Sequence, residues 1–314
     1  MQSAAGFPFD VAIVGGGPAG LAAALVLGRM RRRVVLFDAD DPAHAVSEGV
    51  HGFFGHDGIP PLELRRLGRE QLRSYPSVTV RIVAVDTVTP LVGGFGVIAA
   101  GATTEAGVLL LCTGARYEPP ALEGAAQLWA RGVYDCPYCH GWEVRDRPLA
   151  VYGTDAFVYA LLLSSLSGDV VLLTDGATLD PGDGAALRGA GVVIRDDPVA
   201  RLEAGDGDGS LVEVVFADGS TDERAGLFLM PSLTRSPLAS TLGCDLDESG
   251  AILTDEDGRT SVAGVFAAGD VAAGKKAVVV AAAAGSRAAY AINADLAHGL
   301  LPRPDEKVTR SARH

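Results

Sequence analysis

Lysine is almost missing from this chain: Lys275, Lys276 and Lys307 are the only three in 314 residues. Lysine and arginine together number 26 against 39 aspartates and glutamates, a formal net charge of −13. The longest basic run, Arg31-Arg32-Arg33, closes a predicted helix, where cations complement the helix dipole. So acidic a chain repels nucleic acid and anionic membrane surfaces, and neither is expected as a partner. Aromatics are scarce too, at 6%. Alanine, valine, leucine and glycine are abundant instead, a balance suited to parallel sheets covered by helices. Apolar runs are broken too often to span a bilayer, and the alanine- and valine-rich stretch 277–284 is too short. Residues 1–10 carry no positive region, apolar core or small-residue cleavage site, so no secretory signal is read there. A soluble, cytoplasmic protein is the expectation. At roughly 150 residues per domain, the length suggests about two domains.

Cysteine is equally sparse. Of four, only Cys136 and Cys139 are spaced as Cys-x-x-Cys, in Cys136-Pro-Tyr-Cys139-His140. Alone, such a pair reads as a redox disulfide, half of a zinc site or a chance spacing. A second pair would favour zinc, but Cys112 and Cys244 are isolated; Cys112 reads as a small core residue and Cys244 as inert. His44, His51 and His56 have no metal-ligand spacing with acids or cysteines, so no metal is expected.

What is present is a complete dinucleotide fingerprint. Residues 10–14 read as a short buried strand, followed directly by Gly15-Gly16-Gly17-Pro18-Ala19-Gly20. Residues 21–29 read as a helix and 33–37 as a second strand ending in Asp38. Gly15 permits the tight turn, Gly17 lets backbone approach a pyrophosphate, and Gly20 lets helix pack on strand. The helix N-terminus adds amide donors and a positive dipole end. Asp38 is placed to accept ribose hydroxyls. Lying downstream of that fingerprint, the Cys136–Cys139 pair is best read as a redox disulfide, in an enzyme that moves electrons between thiols and a flavin.

A second fingerprint is begun but not completed. Residues 148–152 read as a strand and 157–166 as a helix, yet the turn is Gly153-Thr154-Asp155-Ala156-Phe157-Val158. Asp155 stands where backbone must approach a pyrophosphate, and Val158 where helix must pack on strand. A carboxylate there repels a diphosphate by on the order of a few kcal/mol. No Lys or Arg occurs from Pro148 through Leu187, and the next strand ends in Asp175. NADPH is therefore not expected to bind, while Asp175 leaves weak NADH use open.

The order of elements resembles low-molecular-weight thioredoxin reductase along nearly the whole chain. It runs from the fingerprint through the Thr113-Gly114 turn, Cys-x-x-Cys and a second βαβ unit to Ala268-Gly269-Asp270. The motif Cys-Pro-Tyr-Cys-His-Gly and the segment 51–64 are similar to a subgroup that includes the dithiol oxidases of holomycin and gliotoxin type. The resemblance implies an α/β fold of two Rossmann-like dinucleotide-binding domains. Residues 1–117 and 244–314 would bind FAD, and 118–243 would form an NADPH-domain-like module carrying the disulfide. Residues 78–85 and 95–100, joined around Gly93-Gly94, resemble the β-meander inserted before the Thr-Gly turn. The FAD site would comprise Gly15, Gly17, Pro18, Ala19, Gly20, Asp38, Thr113, Gly114, Gly269, Asp270, Lys276 and Ala277. Asp270 would meet the ribityl chain, although an ordinary helix cap is compatible with it. Lys276-Ala277 occupies the place of an Arg-Gln pair, and Lys275 or Lys276 would offset negative charge on reduced flavin, unless both are simply solvated.

For the chemistry, the resemblance makes Cys139 the flavin-side thiolate and Cys136 the sulfur that exchanges with substrate. His140 stands where thioredoxin reductases usually have Asp, and would serve as base for the incoming thiol. The alternative is a structural histidine. His51 and Tyr138 are candidates for the substrate pocket. The expected function is FAD-dependent oxidation of a small-molecule dithiol, with O₂ as acceptor. The alternatives are NAD(P)H-driven reduction of a thioredoxin-like protein, and a redox sensor without turnover. A homodimer is implied by the resemblance. The polar tail 301–314 is expected to be disordered.

Overall fold

The computed structural model describes residues 7–205, 211–272, 274 and 276–301. Lys275 and the tail beyond Leu301 lie outside the described residues. The chain divides into two compact units. One comprises Met1–Ala45, Pro61–Arg116 and Thr234–His314, the other Val46–Pro60 and Tyr117–Leu233. Set beside the boundaries drawn from sequence, residues 46–60 group with the second unit and 234–243 with the first.

The first unit starts with β1 (Phe9–Val14), α1 (Pro18–Arg29) and β2 (Val34–Asp38). All five residues of β2 and the last five of β1 are buried, because apolar clusters cover both faces of the sheet. After α2 (Pro61–Leu72) come β3 (Val78–Ile82), β4 (Thr87–Leu91), β5 (Gly94–Ala99) and β6 (Ala102–Leu111). The sheet order is β3-β2-β1-β6-β5-β4, and a closing strand, Val265–Ala267, pairs with β6.

One local expectation is corrected. Val78–Ile82 is not the hairpin partner of 95–100; it lies parallel to β2, with Val34 opposite Val78. The antiparallel partner of β5 is β4, with Pro90 opposite Phe95. β4 is the edge strand, where a proline's missing N–H costs no ladder bond. That proline hides the strand from an alternation reading.

The second unit holds a parallel five-stranded sheet in the order Val193–Arg195, Val170–Leu173, Leu149–Tyr152, Gly226–Leu229 and Val133–Tyr134. Helices Phe157–Leu163 and Pro181–Gly189 make the crossovers. Strands Val199–Ala204, Val212–Phe216 and Thr221–Arg224 form an antiparallel meander. The fold is the FAD/NAD(P)-binding α/β architecture expected.

Candidate active site

Four segments singled out in the sequence finish at one end of the first unit's sheet. Val14 is in register with both Phe37 and Leu111, and Leu111 with Ala267. Backbone bonds extend the alignment past the strand ends. Gly15 N–H donates to the Phe37 carbonyl at 2.8 Å, Cys112 N–H to Val14 at 2.8 Å, and Ala268 N–H to Leu111 at 3.0 Å. The glycine turn, Asp38, Thr113-Gly114 and Gly269-Asp270 therefore leave the sheet side by side. They do so at the carboxyl ends of parallel strands, where such sheets take their ligand.

The glycines of the turn divide by what a side chain would meet. At Gly15 (φ +114°) a Cβ would fall on the Cys112 carbonyl, at Gly16 on the Asp38 carboxylate, and at Gly20 on the Gly15 carbonyl. At Gly17 it would meet nothing within 4 Å. Three glycines are thus filled by protein, and the fourth presents bare backbone to open space. Gly17 also precedes Pro18 as the N-cap of α1, with no side chain satisfying the helix's first N–H groups. An acidic diphosphate fits that combination of open space, unclaimed donors and dipole. FAD is the dinucleotide that these residues would hold.

Gly269 (φ +82°) packs its backbone on Ala19, with a Cβ position 3.1 Å from the Ala19 methyl. The last helix, Val278–Ala297, crosses α1 so closely that a Cβ at Gly285 would fall on the Ala19 carbonyl. Ala277 is its extended N-cap, again without a side-chain cap, and Lys276 is exposed just before it. Asp270 is half-buried, and its carbonyl accepts from Arg235 Nε at 3.1 Å. Thr113 and Gly114 (φ +68°) follow β6. Cys112 packs in the core, where burial pushes its thiol pKa up. Cys244 is also buried, its thiol pKa raised by desolvation, and it donates to Thr260 Oγ1 at 3.6 Å.

Asp38 brings a partner that the sequence reading missed. Its buried carboxylate accepts from Arg65 Nη2 at 2.6 Å and from Arg69 Nη1 at 3.1 Å, both on α2. Asp40 closes the cluster, accepting from Arg69 at 2.8 Å and lying 3.3 Å from Arg65 Nη2. Hydrogen bonding from Arg69 holds the Asp40 carboxyl below the ordinary carboxylate range.

In the second unit, Cys136 and Cys139 form a disulfide at the start of the four-residue helix α3 (Pro137–His140). Cys136 is the extended N-cap, and its carbonyl accepts from the backbone N–H groups of Cys139 at 3.1 Å and His140 at 3.2 Å. The His140 ring stacks on Tyr134, centroids 4.5 Å apart at 17°. His140 Nε2 lies 3.4 Å from Ser47 Oγ, whose own proton goes to the Gly49 carbonyl at 3.0 Å. That leaves the serine oxygen as acceptor and assigns Nε2 as the N–H donor.

Ser47 belongs to the segment 46–60, which groups with the second unit and not with the FAD-binding domain expected over 1–117. His51, in the same segment, sets Nε2 3.6 Å from Glu143 and Nδ1 3.8 Å from Asp57. The segment is tied by the paired bonds between Val50 and its neighbours Gly58 and Ile59, each 2.8 Å. Half-buried Tyr134 has its phenol pKa raised, by desolvation first and then by the charges of Glu48 and Glu143. Tyr138 and Trp142 are exposed around the disulfide, and the Arg145 guanidinium lies 3.9 Å from the Trp142 ring centre.

The incomplete second turn lies elsewhere in this unit. Gly153 (φ +93°) is followed by a tight 3₁₀ turn, Thr154–Ala156, and the Asp155 carboxylate oxygen lies 2.6 Å from where a Cβ on Gly153 would stand. Asp175 accepts from the Tyr152 hydroxyl at 2.7 Å and from the Val199 N–H at 2.7 Å. Burial, that hydrogen bond and the nearby carboxylates all raise the Tyr152 phenol pKa.

Comparison with known proteins agrees with this architecture. The family described as pyridine nucleotide-disulphide oxidoreductase matches residues 9–285. A protein of Arthroderma benhamiae named "Probable thioredoxin reductase" is 33% identical over 177 residues, 54% of this chain and 44% of that one. Thioredoxin reductase sirT of Leptosphaeria maculans is 30% identical over 305 residues, covering 91% of this chain and 93% of its own. Among solved structures, HlmI superposes with a TM-score of 0.85 at 37% identity, covering 92% of this chain and 93% of that one. Among the described residues no helix is long and apolar enough to cross a membrane, and no cluster of His, Cys, Asp and Glu is arranged to hold a metal. The chain belongs to the pyridine nucleotide-disulphide oxidoreductase family, within which it is a thioredoxin reductase-like flavoprotein.

Proposed function

We propose that this chain is a dithiol oxidase that closes a disulfide in a small-molecule dithiol, with O₂ reduced to H₂O₂. The observation that carries this reading is the second turn, where Asp155 folds back toward Gly153 and Asp175 already bonds Tyr152 and Val199. A carboxylate in the turn opposes binding of NADPH as an electron donor, which supports the oxidising direction.

FAD, when bound at the glycine turn, supplies the two-electron relay between the cysteine pair and O₂. The chain's own residues do the sulfur chemistry. A substrate thiolate attacks Cys136 Sγ, the Cys136–Cys139 bond breaks, and Cys139 leaves as a thiolate. The second substrate thiol attacks the substrate sulfur of the mixed disulfide and releases Cys136. The product disulfide and two cysteine thiols account for both electrons and both protons. His140 takes the first thiol proton, its ring oriented by Ser47 and Tyr134. The residues Gly15, Gly17, Pro18, Ala19, Gly20, Asp38, Thr113, Gly114, Gly269, Asp270, Lys276 and Ala277 would hold the cofactor. His51 and Tyr138 would line the substrate's approach. A homodimer in the cytoplasm completes the reading.

A second reading, reduction of a thioredoxin-like protein, is favoured by the relatives' names and by the exposed Tyr138 and Trp142 beside the disulfide. One comparison separates the two. The oxidase reading expects turnover with a small dithiol plus O₂ and none with NADPH plus thioredoxin; the reverse result would overturn it.

A further inference from the structure

Arg65 is the most deeply buried cation described in the first unit, 5% exposed, and its three nitrogens are unequally used. Nη2 donates to Asp38 at 2.6 Å, and Nε approaches the Gly16 carbonyl at 3.4 Å. Nη1 is buried and has no hydrogen-bond partner among the described residues. A guanidinium N–H buried without an acceptor is costly, and structures rarely leave one so. The partners already made locate it. Gly16 is in the fingerprint turn, and Asp38 lies so close that a Cβ on Gly16 would overlap its carboxylate. Nη1 shares one planar carbon with Nε and Nη2, so it cannot be far from that turn.

The neighbouring charges say what it can take. Arg65, Arg69, Asp38 and Asp40 form a two-plus-two cluster of ion pairs. An acid at the end of the second strand would otherwise repel a nearby phosphate. Here that charge is balanced, and a donor remains. We propose that Arg65 is a binding residue of the FAD site, its Nη1 donating to an oxygen in the adenosine half of FAD while Nη2 holds Asp38 toward the ribose. The assignment falls to the adenosine half because the acid after the second strand marks the ribose side of such turns. The inference rests on the reading of the turn as an FAD site.

The test is equilibrium titration of flavin-stripped protein with FAD and with ADP, which carries the adenosine half alone. Wild type is compared with Arg65→Met, Arg65→Lys and the surface control Arg66→Met, and the melting temperature of each apoprotein is recorded. Among the described residues, Arg66 pairs with Glu63 and Glu70 on the helix exterior. Arg65→Met is expected to weaken FAD and ADP by the same factor, about ten- to a hundredfold, the scale of a lost hydrogen bond from a charged donor. Lysine cannot bond two acceptors in a fixed fork, so Arg65→Lys should fall between Met and wild type. Arg66→Met should match wild type. A purely structural Arg65 would lower apoprotein melting and leave both affinities unchanged, which would overturn the proposal. If Arg65→Met does not fold, unaltered FAD and ADP affinity in Arg65→Lys does the same. A wild type that binds no FAD would instead sink the reading of the site itself.

Discussion

Tyr152 donates its hydroxyl to Asp175 at 2.7 Å, across the ends of two neighbouring parallel strands of the second unit. In a working dinucleotide site that edge would face the ribose and its phosphate. Here it carries a carboxylate bonded to a phenol and to a strand N–H, with a second carboxylate in the glycine turn. Anaerobic stopped-flow mixing of FAD-loaded protein with NADPH is therefore expected to reduce the flavin slowly or not at all. Reduction within milliseconds at micromolar NADPH would restore the reductase reading. NADH should fare little better, because its diphosphate would meet the same Asp155 carboxylate beside Gly153.

Two glycines separate stability from cofactor binding. Gly285→Ala drives a methyl into the Ala19 carbonyl, so α1 and the last helix must move apart. Overpacking of this kind costs about 1–3 kcal/mol, and melting should fall with or without FAD. Gly17→Ala meets only open space within the protein. Its apoprotein should melt as wild type does, while FAD affinity falls as the methyl occupies space left for phosphate. Calorimetry of the two apoproteins, with FAD titrated into each, reads both effects. Equal FAD affinity in Gly17→Ala and wild type would take the pyrophosphate away from this turn.

Acid sensitivity follows from the cluster on α2. Hydrogen bonding from Arg69 depresses the Asp40 pKa, so the folded state holds the carboxylate more strongly than the unfolded chain does. Stability from this pair is present above the unfolded carboxylate range, near pH 4, and is lost as pH falls through the lower folded value. Arg69→Gln should flatten the fall of melting temperature between about pH 5 and 3. Because Asp40 is largely exposed, the effect should be small and should shrink in high salt. An acid profile identical to wild type would mean the pair contributes nothing.

The glycine turn, Asp38, Gly269-Asp270 and the cysteine pair were legible because each is a local pattern. Tight turns need glycine, and strand ends are marked by buried apolar runs. Arg65 was not read, since beside Arg66 it looks like one of two surface arginines. A signal existed: Pro61, Arg65 and Leu72 are the buried residues of α2, at spacings of four and seven. An arginine in an apolar stripe implies a buried anionic partner. The segment 46–60 carried no such signal. It has no helical or strand period, and its place beside α3 depends on contacts made about ninety residues along the chain, such as Ser47 with His140.

The two cysteines should differ in colour as well as in activity. Cys136→Ser and Cys139→Ser should each abolish disulfide formation. With Cys136 replaced, a free Cys139 thiolate on the flavin side should give a long-wavelength charge-transfer band. With Cys139 replaced, no such band is expected. Absorption spectra of the two FAD-loaded variants decide it, and a reversed pattern would exchange the two sulfurs' roles.

His140 carries the final expectation, which joins geometry to the direction of electron flow. His140 Nε2 lies 3.4 Å from Ser47 Oγ and the ring stacks on Tyr134, and in the proposed mechanism the imidazole accepts the substrate thiol's proton. His140→Ala should lose roughly 10²–10⁴ in the rate of disulfide formation, the usual scale for a positioned base. The deficit should shrink at high pH, where thiols ionise unaided near their ordinary pKa of about 8.5. Ser47→Ala should show a smaller loss in the same direction, since it frees the tautomer without removing the base. FAD content should be unchanged in both, because neither residue is among those that would hold the cofactor. With O₂ as acceptor, each disulfide formed should be matched by one H₂O₂, measured by peroxidase coupling. Equal rates for wild type and His140→Ala at neutral pH would leave the histidine a structural residue. Disulfide formation without peroxide would require another acceptor and overturn the oxidase assignment.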